Sequence, residues 1–131
     1  MQQPIITDVQ KDPLGNAVLD FFKGQQILPL VIKSSKFDDD ELPVHYLFRS
    51  YAQMPKIEQM ALEMADGNIL DVGAGAGCHS KALLKMGKKV TPIDISPGAV
   101  ELMQMTGIAD ARHIDFFSLE AQKFDTILFL M

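Results

Sequence analysis

The run ILDVGAGAGCHS at residues 69–80 constrains this chain more than any other stretch. Three glycines, Gly73, Gly75 and Gly77, stand on alternate positions directly behind an apolar run that carries Asp71. Glycine weakens strand and helix interiors by about 0.5–1 kcal/mol relative to alanine. Three together imply a backbone that bends sharply or lets another molecule come close. NILDVG before them reads as a short strand buried on both faces, and CHSKALLKM after them as a helix that stops at Gly87. A strand, a glycine turn and a helix in that order set free helix N–H groups at the carboxyl edge of a sheet. Open α/β sheets bind ligands there.

The rest of the C-terminal part continues the alternation. KKVTPIDI is strand-like, and Ser96 reads as an N-cap with Pro97 at the first helical position and Val100, Met103 and Met105 facing inward. ADARHIDF is a weaker strand candidate, and KFDTILFLM a strong one. Strands alternating with short helices predict βαβ units, with a parallel sheet of about four strands and helices on its faces.

Residues 1–66, ahead of a boundary at Asp66-Gly67, read as a helical, loop-rich segment that caps the sheet domain of residues 67–131. Asp12 caps a helix with Pro13 at its start and Leu14, Val18, Phe21 and Phe22 on one face. The stretch at 27–35, ILPLVIKSS, is either extended or a short helix, and FDDDELP is a polar turn. A second helix begins at Pro55, with Ile57, Met60, Ala61 and Met64 as its expected buried stripe.

Charge and cysteine content narrow the function. The net charge is −5, and no block of lysine or arginine occurs. Nucleic acids are bound through basic patches, so they are not expected partners. No apolar run approaches the roughly 20 residues that span a bilayer, and the N-terminus lacks a secretory pattern. The single cysteine, Cys78, allows no internal disulfide and suits a reducing cytoplasm. DDDE at 38–41 reads as a solvated loop, so no metal site is expected. Cys78 is read as a packed residue, His79 as a ring near ligand or water, and His45 and His113 as structural or surface groups. The methionines at 60, 64, 103 and 105 are read as core filling.

Which ligand the turn serves depends on the carboxylates around it. A dinucleotide turn, G-x-G-x-x-G, would need a third glycine where Cys78 stands; the spacing here is D-x-G-x-G-x-G. Asp71 repels a pyrophosphate and attracts an ammonium group. Asp94, ending the second strand, suits the two hydroxyls of a ribose. Asp115, after the third strand candidate, suits an adenine amine, with Phe116 or Ile95 packing on the ring. Ribose, adenine and an amino-acid ammonium together describe S-adenosylmethionine.

Residues 68–131 resemble the first half of a class I S-adenosylmethionine-dependent methyltransferase. ILDVGAGAG is similar to that family's first motif, VTPIDIS to its second, HIDFF to its third and FDTILFLM to its fourth. The resemblance implies a Rossmann-like sheet of strand order 3-2-1-4 and S-adenosylmethionine as cofactor. It also implies an N-terminal segment closing over the cofactor, with Tyr46, Arg49 and Tyr51 as candidates for its methionine carboxylate. The family's sheet has seven strands and four are legible here, so the expectation is an N-terminal fragment whose strand at 125–130 is open to a second copy. The expected reaction is methyl transfer to a small molecule, with no catalytic base identified. A non-catalytic module that binds S-adenosylmethionine or a partner, and a nucleotide-linked oxidoreductase, remain the alternatives.

Overall fold

The computed structural model describes residues 5–25, 28–119 and 123–130. Ile27 and Met131, the ends of two segments read above, lie outside them. The C-terminal part is a four-stranded parallel sheet in the order β5-β4-β3-β6. Its strands are β3 (Asn68–Val72), β4 (Lys89–Asp94), β5 (Arg112–His113) and β6 (Thr126–Leu128), with α3 (Cys78–Lys85) and α4 (Pro97–Met105) in the first two crossovers. The order is the expected one, with β3 central. Ile69, Leu70 and Asp71 of β3 are all buried, as befits a strand covered on both faces. The two outer strands are shorter than their sequences suggested, at two and three residues.

The N-terminal segment holds α1 (Pro13–Phe22) and α2 (Lys56–Met64), and between them a hairpin of β1 (Leu30–Ile32) and β2 (Asp40–Leu42). The ILPLVIKSS stretch is therefore extended, and half of the supposed FDDDELP turn is its partner strand. This segment is not a separate body. Val18, Val44 and Leu47 share a core cluster with Ala76 and Leu102 of the sheet domain. A second cluster joins Leu62, Ile69 and Leu83, and a third surrounds Met103.

The weld between the parts is the crossing of α1 over α4. A Cβ at Gly98 would lie 2.6 Å from the Cα of Gly15, so glycine at both positions lets the helices touch backbone to backbone. Asp12, 1% exposed, serves both helices. Its carboxylate accepts the Gly15 N–H at 3.0 Å, the Gly98 N–H at 2.9 Å and the Ser96 hydroxyl at 2.7 Å. Ser96 Oγ in turn accepts the Ala99 N–H, the cap its sequence predicted.

The buried face of α2 differs from the expected one. Ile57, Met60 and Met64 are exposed, whereas Glu58 and Leu62 are buried. The helical period is right, but the face is turned by one residue, because Glu58 is drawn inward by two basic side chains. Phe22 and Met105 are also on the surface, so of the four methionines read as core only Met103 is buried.

Candidate functional site

The glycine turn lies at the carboxyl end of β3. Gly73, Gly75 and Gly77 have φ of 67°, 59° and 86°, the left-handed region that favours glycine. Gly77 is doubly constrained, since a Cβ there would come within 2.9 Å of Met103 and Ile108. The turn is pinned to the neighbouring strand. The Gly73 and Ala74 N–H groups donate to the Ile93 carbonyl at 3.0 and 3.1 Å, and the Gly75 N–H donates to Asp94 Oδ2 at 2.8 Å.

Asp94 thus belongs to the turn as well as to β4. Its other oxygen, Oδ1, accepts the Ser96 N–H at 2.9 Å. Burial pushes this carboxyl above its ordinary pKa, and the N–H groups of Ser96 and Gly75 pull against that shift. Each oxygen keeps a second lone pair for another donor.

Asp71, read as attracting an ammonium group, lies under the edge and is buried. It is 1% exposed and takes the Ser80 hydroxyl at 2.7 Å. Through that bond it holds the first turn of α3. Burial pushes its pKa from 3.8 up to about 6, with the Ser80 hydrogen bond opposing. An acid whose folded pKa is raised binds protons more tightly when folded. Its contribution therefore favours the fold at low pH and is lost as pH rises through the folded value. Asp71→Asn, which still accepts from Ser80, is expected to add about 1–3 kcal/mol of stability at pH 7.5 and almost none at pH 4. Thermal melts at the two pH values check this; an equal gain at both would show that the charge is not the cause.

The remaining edge residues follow β5. Asp94 is paired in register with His113, which sets Asp115 two residues beyond the strand end. Asp115 is half-buried, and its Oδ2 accepts the Phe117 N–H at 3.0 Å. Phe116 meets Phe117 and Phe129 edge-on, with ring centroids 5.3 and 5.4 Å away. The Ile95 side chain is exposed. Its carbonyl accepts the Ile6 N–H at 3.0 Å and lies 2.9 Å from His113 Nε2, a structural use of that imidazole.

Arg49 comes from the N-terminal segment and is buried, with its guanidinium 4.1 Å over the Tyr46 ring. It donates to the Tyr46 carbonyl at 2.9 Å and pairs with Glu58, which also bonds the imidazole of His79. His79 is 2% exposed, so of the two expectations for its ring, ligand or water, water is ruled out. Burial works against the charge on Arg49, but the hydrogen bond to Glu58 and the charges of Cys78, Glu58 and Tyr46 together outweigh it and the pKa is raised. One guanidinium N–H, that of Nε, is buried and has no acceptor among the described residues. Tyr51 turns its hydroxyl to Glu63 instead. Cys78 is partly buried, and burial pushes its thiol up, as suits a packed residue.

Glu58, His79, Ser80 and Asp12 were missed as supports. Asp12 was legible as a cap of one helix, but nothing local tells that a carboxylate also caps another helix 86 residues away.

Comparison with known proteins gives one consistent picture. The family profile described as "Methyltransferase domain" matches residues 69–131. A solved SAM-dependent methyltransferase from Bacteroides fragilis, in complex with S-adenosyl-L-homocysteine, is 51% identical. It superposes with a TM-score of 0.88 over 96% of this chain and 53% of that one. A ubiquinone biosynthesis O-methyltransferase of Xanthomonas oryzae pv. oryzae (strain PXO99A) is 33% identical over 55 residues, 42% of this chain and 23% of that protein. One from Pasteurella multocida (strain Pm70) is 29% identical over 85 residues, 65% of this chain and 34% of that protein. The chain thus spans about half of the solved relative and a quarter to a third of these curated ones.

Proposed function

We propose, from the premise that this chain belongs to the class I S-adenosylmethionine-dependent methyltransferases, that the carboxyl edge of its sheet binds S-adenosylmethionine for methyl transfer to a small-molecule acceptor. The observation that carries this reading is the 2.8 Å hydrogen bond from the Gly75 N–H to Asp94. It joins the glycine turn to the second-strand carboxylate, the two features that a nucleoside-bearing amino acid requires side by side. The residues present fit the cofactor. Asp94 keeps lone pairs for ribose hydroxyls, and the buried Nε–H of Arg49 lacks the acceptor that a methionine carboxylate supplies. Asp71 lends negative potential to the ammonium, Asp115 accepts from the adenine amine, and Phe116 and Ile95 pack on its ring. Gly73 and Gly77 keep the turn low enough for close approach, and Tyr46 holds Arg49 from its open face.

When bound, the cofactor supplies a methyl already activated by positive sulfur. What this chain contributes is orientation at the edge, which can supply much of the acceleration of an in-line displacement. Calorimetric titration tests the reading. S-adenosylmethionine and S-adenosylhomocysteine are expected to bind with micromolar affinity and NAD not at all. Binding of NAD alone would replace this assignment with that of a nucleotide-linked oxidoreductase.

No helix among the described residues is long and apolar enough to cross a membrane. We place the protein in the cytoplasm, where its lone Cys78 stays reduced. Ile127 and Phe129, on and just after the outermost strand β6, are 45% and 63% exposed. Exposed strand edges recruit further strands, which supports pairing of two copies through residues 125–130. Sedimentation is expected to show a concentration-dependent dimer that Ile127→Lys dissociates; a monomer at all concentrations counts against it.

A further inference from the structure

A cavity of about 830 Å³ runs along α3 on its side facing residues 47–52; its lining includes Arg49 and, from the glycine turn and the start of α3, Ala76 and Cys78, but neither Asp94 nor Asp115. Its size is that of a small-molecule site. Its apolar walls include Leu47, Phe48, Ala82 and Met86. Its charges are lopsided: Arg49, Lys81, Lys85 and Lys88 against the single carboxylate Glu63, in a chain of net charge −5.

Two of these cations have other duties. Arg49 is paired with Glu58, and Lys88 Nζ donates to the carbonyls of Leu62, Glu63 and Ala65 at the end of α2. Lys81 and Lys85 do not. Neither has an ion-pair partner among the described residues, although they stand one helical turn apart, where like charges repel. Lys81 is also half-buried, and burial is the main cause that lowers its pKa. An unpaired, partly desolvated cation is costly until an anion meets it. Tyr51 closes the opposite side and keeps Glu63 engaged through its hydroxyl, so that carboxylate is not directed at the lysines.

We propose that this cavity is a second ligand site, adjoining the cofactor's proposed carboxylate contact at Arg49, for an apolar monoanion such as a medium- or long-chain carboxylate. The chain lies along Leu47, Phe48 and Met86, and the head group is held by Lys81 and Lys85. A nucleotide does not fit this description, because the apolar walls offer its polar base and sugar few partners. A zwitterion or a cation is opposed by the charge.

Calorimetric titration of the full chain tests this with decanoate below its micellar concentration, decanol and decyltrimethylammonium as probes. Decanoate is expected to bind saturably, one per chain, at least about ten-fold more tightly than decanol, with no binding of the ammonium compound. Lys81→Met with Lys85→Met should erase the preference for decanoate over decanol. Ala52→Trp, which fills the cavity from its exposed rim without changing charge, should abolish both. Thermal melts confirm that each variant folds. The lysine pair alone suffices if the tryptophan variant does not. Equal binding of the three probes overturns the proposal, as does decanoate binding that survives the lysine substitutions. Sedimentation with phosphatidylglycerol vesicles but not phosphatidylcholine vesicles, without uptake of monomeric decanoate, also overturns it and assigns the lysines to a membrane surface.

Discussion

Replacing Glu58 with alanine is expected to lower the unfolding free energy by about 3–4 kcal/mol, a large share of a domain's total. The carboxylate is the counter-charge of Arg49 and the hydrogen-bond partner of His79, two side chains that are almost out of water. Without it the guanidinium keeps its burial cost and loses its partner, while His79 loses its acceptor. Glu58→Gln keeps the shape and one acceptor, so it should lose about half as much. The pH dependence separates charge from packing. Burial raises the pKa of Glu58, but the bonds from His79 and Arg49 more than offset this, and the net value lies below the ordinary 4.5. Such a group stabilises the fold fully above its unfolded pKa and stops doing so as pH falls through its folded value. Urea unfolding at pH 7 and pH 3.5 should therefore show the gap between the wild type and Glu58→Gln closing in acid. A gap unchanged between the two pH values would assign the loss to packing.

The same cluster links stability to the site. Glu58 fixes the Arg49 guanidinium, whose unpartnered Nε–H is the proposed contact for the methionine carboxylate. Arg49, Glu58 of α2 and His79 of α3 meet there in a single hydrogen-bonded network, so the N-terminal segment and α3 cannot move apart without exposing it. This is a physical reason for the exposed Ile57, Met60 and Met64 of α2. Burying a three-member hydrogen-bonded network fixes the rotation of the helix, and the apolar stripe is left outside.

Legibility in the sequence followed the range of the forces. The glycine turn, the caps at Asp12 and Ser96 and the α/β class rest on local pattern, and each was readable; the strand order came from the family resemblance. The hairpin of β1 and β2 was not, because three-residue strands flanked by Pro29 and Asp38 to Asp40 carry too little periodicity. The phase of α2 was misread, since an apolar stripe at helical spacing outweighs one glutamate until its partners, nine and 21 residues away, are known. Asp71 was read as attracting an ammonium group because it is a carboxylate at a strand end beside glycines. Only the fold shows it one layer down, bonded to Ser80. At the edge, residue types named the candidates, whereas their hydrogen-bond partners had to come from the packing.

Asp94 carries the largest expected effect on binding. Two hydroxyls donating to a carboxylate are each worth about 1.5–3 kcal/mol, so Asp94→Asn, which offers a single acceptor oxygen, should weaken S-adenosylhomocysteine by roughly 100-fold. The substitution alone is ambiguous. Both oxygens also receive backbone N–H groups, from Gly75 and Ser96, and a slackened turn would weaken any ligand. An analogue of S-adenosylhomocysteine lacking both ribose hydroxyls resolves this. It should bind the wild-type chain about 100-fold more weakly than the parent, yet bind Asp94→Asn almost as well as the parent does. The two losses would then be one and the same interaction, counted from either side. If the analogue is still penalised in the variant, the hydroxyls have another partner and Asp94 serves the turn alone. The carboxylate's burial makes the distinction sharp. At 6% exposure it has little contact with water, so a donor reaching it from the edge finds a lone pair with few competitors.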